Sequence, residues 1–206
     1  MKVIRIPVGI YAANCYIVYS ESTKDGIVVD PGGDVDVILN IIDENNLKIK
    51  YIVLTHGHAD HIGGVIGLRN ALKISVMIHE CDGEILVDGN KNLSNIMAMG
   101  TIEINPDILI KGGEIIEFGD LKAEIIHTPG HTFGGISIKI EDSIITGDTL
   151  FSGSIGRTDL LGGDYNTIMD SIKNKIIVYP DETIVYPGHG PSSTIGKERA
   201  LNPFLR

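Results

Sequence analysis

Residues 51–65 read YIVLTHGHADHIGGV, and three histidines and an aspartate fall within six of these positions: His56, His58, Asp60 and His61. The whole chain has only seven histidines. Imidazole and carboxylate together are the donor types that suit zinc, iron or manganese. A helix through His56 and His58 would send them to nearly opposite sides. Sharing an ion therefore requires a loop, and the β-branched run YIVLT before them and Gly57 between them predict a strand that opens into a turn.

Four further segments have the same form, a strand followed by a polar residue beside glycine. They are GIVVDPGG with Asp30, AEIIHTPGHTFGG with His127 and His131, SIITGDTL with Asp148, and TIVYPGHGP with His189. In layered α/β folds, ligand groups gather on loops at strand ends. Five such ends in one chain predict one shared pocket. His56, His58 and His131 supply three nitrogens for one ion. Asp60, His61 and His189 supply a second set, and the two oxygens of Asp148 can bridge them. Two ions about 3.5–4 Å apart are a recurrent hydrolytic device that acidifies a shared water. Asp30 is expected to orient a ligand imidazole by accepting its distal N–H. His127 is read as a brace for the site and His79 as a packing or turn residue.

The elements that position these residues are short. KVIRIP, CYIVYS, GIVVD and KIKYIVLT read as strands. Val37, Ile38, Ile41 and Ile42 have helical spacing behind an N-cap candidate, Asp34. A helix over GGVIGLRNAL leads to the strand KISVMIH. CDGEIL reads as a short helix, and NKNLSNIMAMG as a loop. Two hairpins turn at Gly119–Asp120 and Glu141–Asp142. Helices over 165–175 and 194–200 flank the strand ETIVYPG. Strands and helices alternate in two similar halves, which predicts a layered α/β fold in one domain over residues 1–206.

Composition narrows the function. The net charge of −10 repels phosphate backbones, and the 17 Lys and Arg form no basic run, so nucleic acid is not expected as a partner. Two cysteines, Cys15 and Cys81, are too few for a disulfide framework and read as reduced, partly buried thiols. With no apolar leader and no membrane-length apolar run, a cytoplasmic protein is expected.

THGHADH, HTPGHTFGG, GDTLF and PGHG, in that order, resemble the metallo-β-lactamase superfamily across nearly the whole chain. The resemblance implies an αβ/βα sandwich of two central sheets flanked by helices, with two divalent metals at one edge. Zinc is the expected ion, with iron and manganese as alternatives. LFSGSIGRTDLLGGDYNTIMDSI and PGHGPSSTIGKERALNPFL are similar to the short, glyoxalase II-like branch, the hydroxyacylglutathione hydrolases. That branch implies hydrolysis of a thioester of a small thiol by a metal-bridging hydroxide, with Asp60 and Asp148 in catalytic positions. The C-terminal helical domain that helps glyoxalase II hold glutathione has no counterpart here, which leaves the thiol carrier open. Arg157, in GRTD, either meets the substrate's carboxylate or pairs with Asp159 to brace its loop. Persulfide dioxygenases with a single iron, and lactonases, share parts of the same pattern and are the alternatives.

Overall fold

The computed structural model describes residues 1–206. Strands β1 (Lys2–Val8), β2 (Ala13–Tyr19), β3 (Asp25–Val29), β4 (Lys48–Val53), β5 (Ser75–His79) and β6 (Ile108–Ile110) form one mixed sheet in sequence order. The second sheet takes β7 (Ile115–Phe118), β8 (Leu121–His127), β9 (Ile136–Ile140) and β10 (Ser143–Gly147). After a small ribbon of β11 (Leu150–Phe151) and β12 (Ser154–Ile155), it resumes with β13 (Ile184–Pro187) and β14 (Ser193–Thr194). The helices are α1 (Val35–Glu44), α2 (Ala59–Ile62), α3 (Val65–Leu72), α4 (Gly83–Leu86), α5 (Tyr165–Ser171) and α6 (Ile195–Leu201).

Strand alternation explains the layering. On β2, Tyr16 and Val18 face inward to a core shared with Phe118, Ile125, Ile138 and Ile145 of the second sheet. Cys15, Ile17 and Tyr19 face the other way, onto Ile38 and Ile42 of α1 and Val65 and Leu68 of α3. Because successive side chains point to opposite faces, a strand buried on both sides must be apolar throughout, as ANCYIVY nearly is. A third core packs Ile144 and Val185 of the second sheet against Ile168 and Ile172 at α5 and Ile195 of α6. Helix, sheet, sheet, helix is the expected αβ/βα sandwich.

Several local expectations are corrected. Asp34 stands at the N-cap of α1, but its side chain makes no cap bond. It accepts instead from the Gly9 backbone N–H at 2.8 Å, tying down the turn between β1 and β2. The helix expected over 63–72 is α3, and an unexpected one-turn helix, α2, precedes it and carries Asp60 and His61. The helix over 165–175 passes into a π-turn at Ile172–Ile176. Cys15 is buried and Cys81 exposed. Both hairpins turn where read: Phe118 pairs with Leu121, and Ile140 with Ser143. No helix is long and apolar enough to cross a membrane.

Candidate metal centre

The candidate ligands and Asp30 lie beyond the C-terminal ends of β3, β4, β8, β10 and β13, on one edge of the sandwich, and Arg157 follows β12. His56 lies in the loop leaving β4, and His58 takes an extended conformation (φ −73°, ψ 148°) at the N-cap of α2. That turn is fastened from outside. Asp82 accepts from the Gly57 N–H at 3.1 Å, and the Asn92 carbonyl accepts from the Ala59 N–H at 2.8 Å. Gly32 must lack a side chain, since a Cβ there would sit 1.8 Å from the Asp60 carbonyl oxygen.

The first set converges tightly. The ligand atoms of His56, His58 and His131 lie within 4.8 Å of one another, and His58 Nδ1 is 2.9 Å from His131 Nε2. In the second set, His189 Nε2 is 3.1 Å from Asp60 Oδ2 and 3.3 Å from His61 Nε2. Asp148 stands between the sets. Its Oδ2 is 3.6 Å from His131 Nε2 and 3.8 Å from His189 Nε2, and its Oδ1 is 3.4 Å from His61 Nε2.

Hydrogen bonds behind the rings set which nitrogen is free. Thr55 Oγ1 donates to Asp30 Oδ2 at 2.6 Å and so accepts from His56 Nδ1 at 3.1 Å. His61 Nδ1 donates to Asp30 Oδ2 at 3.0 Å, and His131 Nδ1 donates to the Arg157 carbonyl at 2.8 Å. With Nδ1 occupied as a donor, each neutral ring presents Nε2 as a lone pair. The oxygens of Asp30 also lie near His56 and His61, but they are spent on the Thr55 N–H, the Thr55 hydroxyl and His61. Asp30 therefore stands behind the imidazoles and orients them. The buried side-chain polar atoms left without any partner are His56 Nε2, His58 Nε2 and Asp148 Oδ1. Native interiors rarely leave such atoms unpaired, so a cation among these donors fits the residues present.

Charge tells the same story. Burial and neighbouring imidazoles hold His56 well below the ordinary histidine range and push His58 down to about 3. Burial also opposes charge on His61, but Asp148, Asp60 and Asp30 outweigh it and raise its pKa to about 10. In the metal-free chain, one proton on His61 thus takes the place of a cation. Metal entering the second set must expel that proton, whereas His56 and His58 carry none at neutral pH. The affinity of the Asp60–His61–His189 set is therefore expected to rise about tenfold per pH unit between pH 6 and 8, as one-proton release requires. Affinity through His56 and His58 should change much less. Calorimetric titration with zinc in buffers of different ionisation enthalpy reads both, and a pH-independent second site would contradict this assignment.

Asp82 was missed in the sequence, although CDG after β5 has the same strand, polar residue, glycine form. Fully buried, it also accepts from the Thr132 hydroxyl at 2.8 Å and the Gly134 N–H at 2.6 Å. It joins the His56–His58 loop to the His131 loop. His127 donates its Nε2 proton to the Phe133 carbonyl at 2.9 Å, and its ring stacks on His79 with centroids 3.9 Å apart. His79 donates to the Lys111 carbonyl and accepts from the Cys81 N–H. Neither histidine belongs to the cluster. Arg157 lines the cleft with His58, Asp60, His131, Asp148 and His189. Its Nε and Nη2 grip Asp159 at 2.7 and 2.8 Å.

The profile of the metallo-beta-lactamase superfamily matches residues 8–189, and the chain belongs to that superfamily. It is 38% identical to the probable metallo-hydrolase YqgX of Bacillus subtilis, covering 100% of this chain and 98% of that one. It is 35% identical to the hydroxyacylglutathione hydrolase GloC of Haemophilus influenzae, again over 100% and 98%. The crystal structure of the BLEG-1 B3 metallo-beta-lactamase superposes with a TM-score of 0.94 at 38% identity, covering 99% of each chain. With its His/Asp clusters, the chain is a metal-dependent hydrolase of this superfamily.

Proposed function

We propose that the protein is a thioesterase that hydrolyses S-acylated small thiols at two zinc ions. The observation that carries this reading is the convergence of His56, His58 and His131 and of Asp60, His61 and His189 into two clusters, with His56, His61 and His131 each held through Nδ1, beside a cleft that Asp60, His131, Asp148 and His189 line. His56, His58 and His131 would hold one ion and Asp60, His61 and His189 the other, with Asp148 within reach of both. Ions bound there supply Lewis acidity, which lowers the pKa of a water and polarises a carbonyl. Asp60, at the cleft wall, accepts a hydrogen bond from the attacking water and orients it. The thiolate leaves without a strong general acid, because its conjugate thiol has a pKa of only about 8.5. Similarity to GloC supports the thioester as substrate.

The test is hydrolysis of S-lactoylglutathione by zinc-loaded protein, abolished by a chelator and restored by metal. Absence of turnover at full metal content, both of S-lactoylglutathione and of aliphatic S-acyl thioesters, would end the thioesterase reading.

Arg157 bears on the carrier. Arg157 lines the cleft, and Asp159 engages its Nε and Nη2 but not Nη1; in this reading Nη1 meets a carrier carboxylate, and such a charge-assisted bond contributes roughly 1.5–3 kcal/mol. Arg157→Ala is expected to raise KM for a glutathione thioester about 10- to 100-fold with kcat less affected. An uncharged thioester of the same acyl group should respond little, because the backbone carbonyl that orients His131 survives the substitution. Equal losses on both substrates would assign Arg157 to bracing alone.

A further inference from the structure

Within the loop between α4 and β6, the stretch from Asn92 to Ala98 is turned inside out. Two polar side chains form its interior. Asn92 and Ser94 are fully buried. Asn92 Nδ2 donates to the Ile102 carbonyl at 2.7 Å, Asn92 Oδ1 accepts from the Ser94 N–H at 2.9 Å, and Ser94 Oγ accepts from the Ile102 N–H at 3.0 Å. Ile102 and Ile104 return to the core, but the apolar side chains of this stretch stay out of it, with Ile96 78% exposed and Leu93 and Met97 half-buried. Leu93 (φ 73°) and Ala98 (φ 56°) occupy left-handed backbone that residues with a Cβ seldom adopt. Folding ordinarily puts such side chains in the core. Here a buried polar network holds them out of it.

They face the metal centre. Leu93, Ile96 and Met97, with Tyr11 and Leu160, form the apolar wall of the cleft of about 460 Å³ whose other side is His58, Asp60, His131, Asp148 and His189. The wall is tied to the site through the Ala59 N–H, which donates to the Asn92 carbonyl, and is braced within itself by the Tyr11 hydroxyl donating to the Met97 carbonyl at 3.1 Å. Arg157 is the one cation lining the cleft, and Asp159 already holds two of its nitrogens. A polar or anionic acyl group would find no partner along this wall.

From this geometry we infer that residues 93–97 and Tyr11 seat the acyl arm of the substrate, and that the preferred acyl group is an unbranched aliphatic chain several carbons long. The inference rests on the thioesterase reading and names its substrate class. The wall sets acyl selectivity, while Arg157 concerns the thiol carrier.

The test is an acyl series on one uncharged thiol, N-acetylcysteamine, from acetyl to octanoyl, with the zinc-loaded protein. Burying each of the six added methylenes should raise kcat/KM about twofold to fourfold, giving an octanoyl-to-acetyl ratio of at least ~60. Because Ile96 is exposed, Ile96→Ser leaves the cores untouched. It should cut that ratio about tenfold through KM for the long chains. Calorimetric binding of the product carboxylates, acetate to octanoate, gives a readout independent of turnover, and affinity should rise along the same series. Turnover with both profiles flat would overturn the acyl wall and leave the thioesterase intact. Carboxylate affinity rising without thioester turnover would do the reverse. A dimer that dissociates on Ile96→Asp would assign the patch to a second copy of the chain and overturn the proposal.

Discussion

Asp148→Asn is expected to lose at least ~10²-fold in hydrolytic rate and most of the bound metal, the scale on which supporting metal-site substitutions act. Asp148 stands between the two ligand sets, facing His131 through Oδ2 and His61 through Oδ1. The amide keeps the shape and one acceptor oxygen, but it turns the other contact into an N–H₂ donor and removes the charge. That donor cannot face a cation. The loss of a negative group also weakens the hold on the His61 proton, because Asp148, with Asp60 and Asp30, raises its pKa. Elemental analysis and the thioester assay on the same preparation read the outcome. Two metals per chain and a rate near that of the unsubstituted protein would show that Asp148 does not join the two sets.

Gly188→Ala is expected to disable the site by about 10²-fold as well, without touching any proposed ligand. A Cβ at 188 would lie 2.1 Å from Asp148 Oδ1 and 2.8 Å from His61 Cε1. Both are closer than carbon and its neighbours can approach, so Asp148 must swing away. Gly188 is held in place by its own N–H to the Gly147 carbonyl at 2.8 Å and by its carbonyl accepting from the Asn14 N–H at 2.7 Å, so the backbone has little room to retreat instead. The signature is loss of metal with a far-ultraviolet circular dichroism spectrum unchanged. Full metal content with normal turnover would show that the loop yields and the carboxylate does not.

The sequence alone determined the donor inventory and the element types. His56, His58, Asp60, His61, His131, Asp148 and His189 were legible because each follows a β-branched run and sits beside or near glycine. The layered fold was legible because strands buried on both faces must be apolar throughout. The tertiary structure alone decided how the donors are aimed. Tautomers depend on Thr55, Asp30 and the Arg157 carbonyl, which come from different strands and loops, so no local spacing encodes them. Asp82 escaped notice because its partners Gly57, Thr132 and Gly134 are far away in sequence, and a lone buried carboxylate has no periodicity. Asp34 looked like a helix cap because caps are local, yet a distant N–H on Gly9 captured its carboxylate. The loop from Asn92 to Met97 was the least readable stretch for the same reason. Its apolar residues suggest burial, and only the hydrogen bonds of Asn92 and Ser94, formed across the folded loop, turn those residues outward toward the cleft.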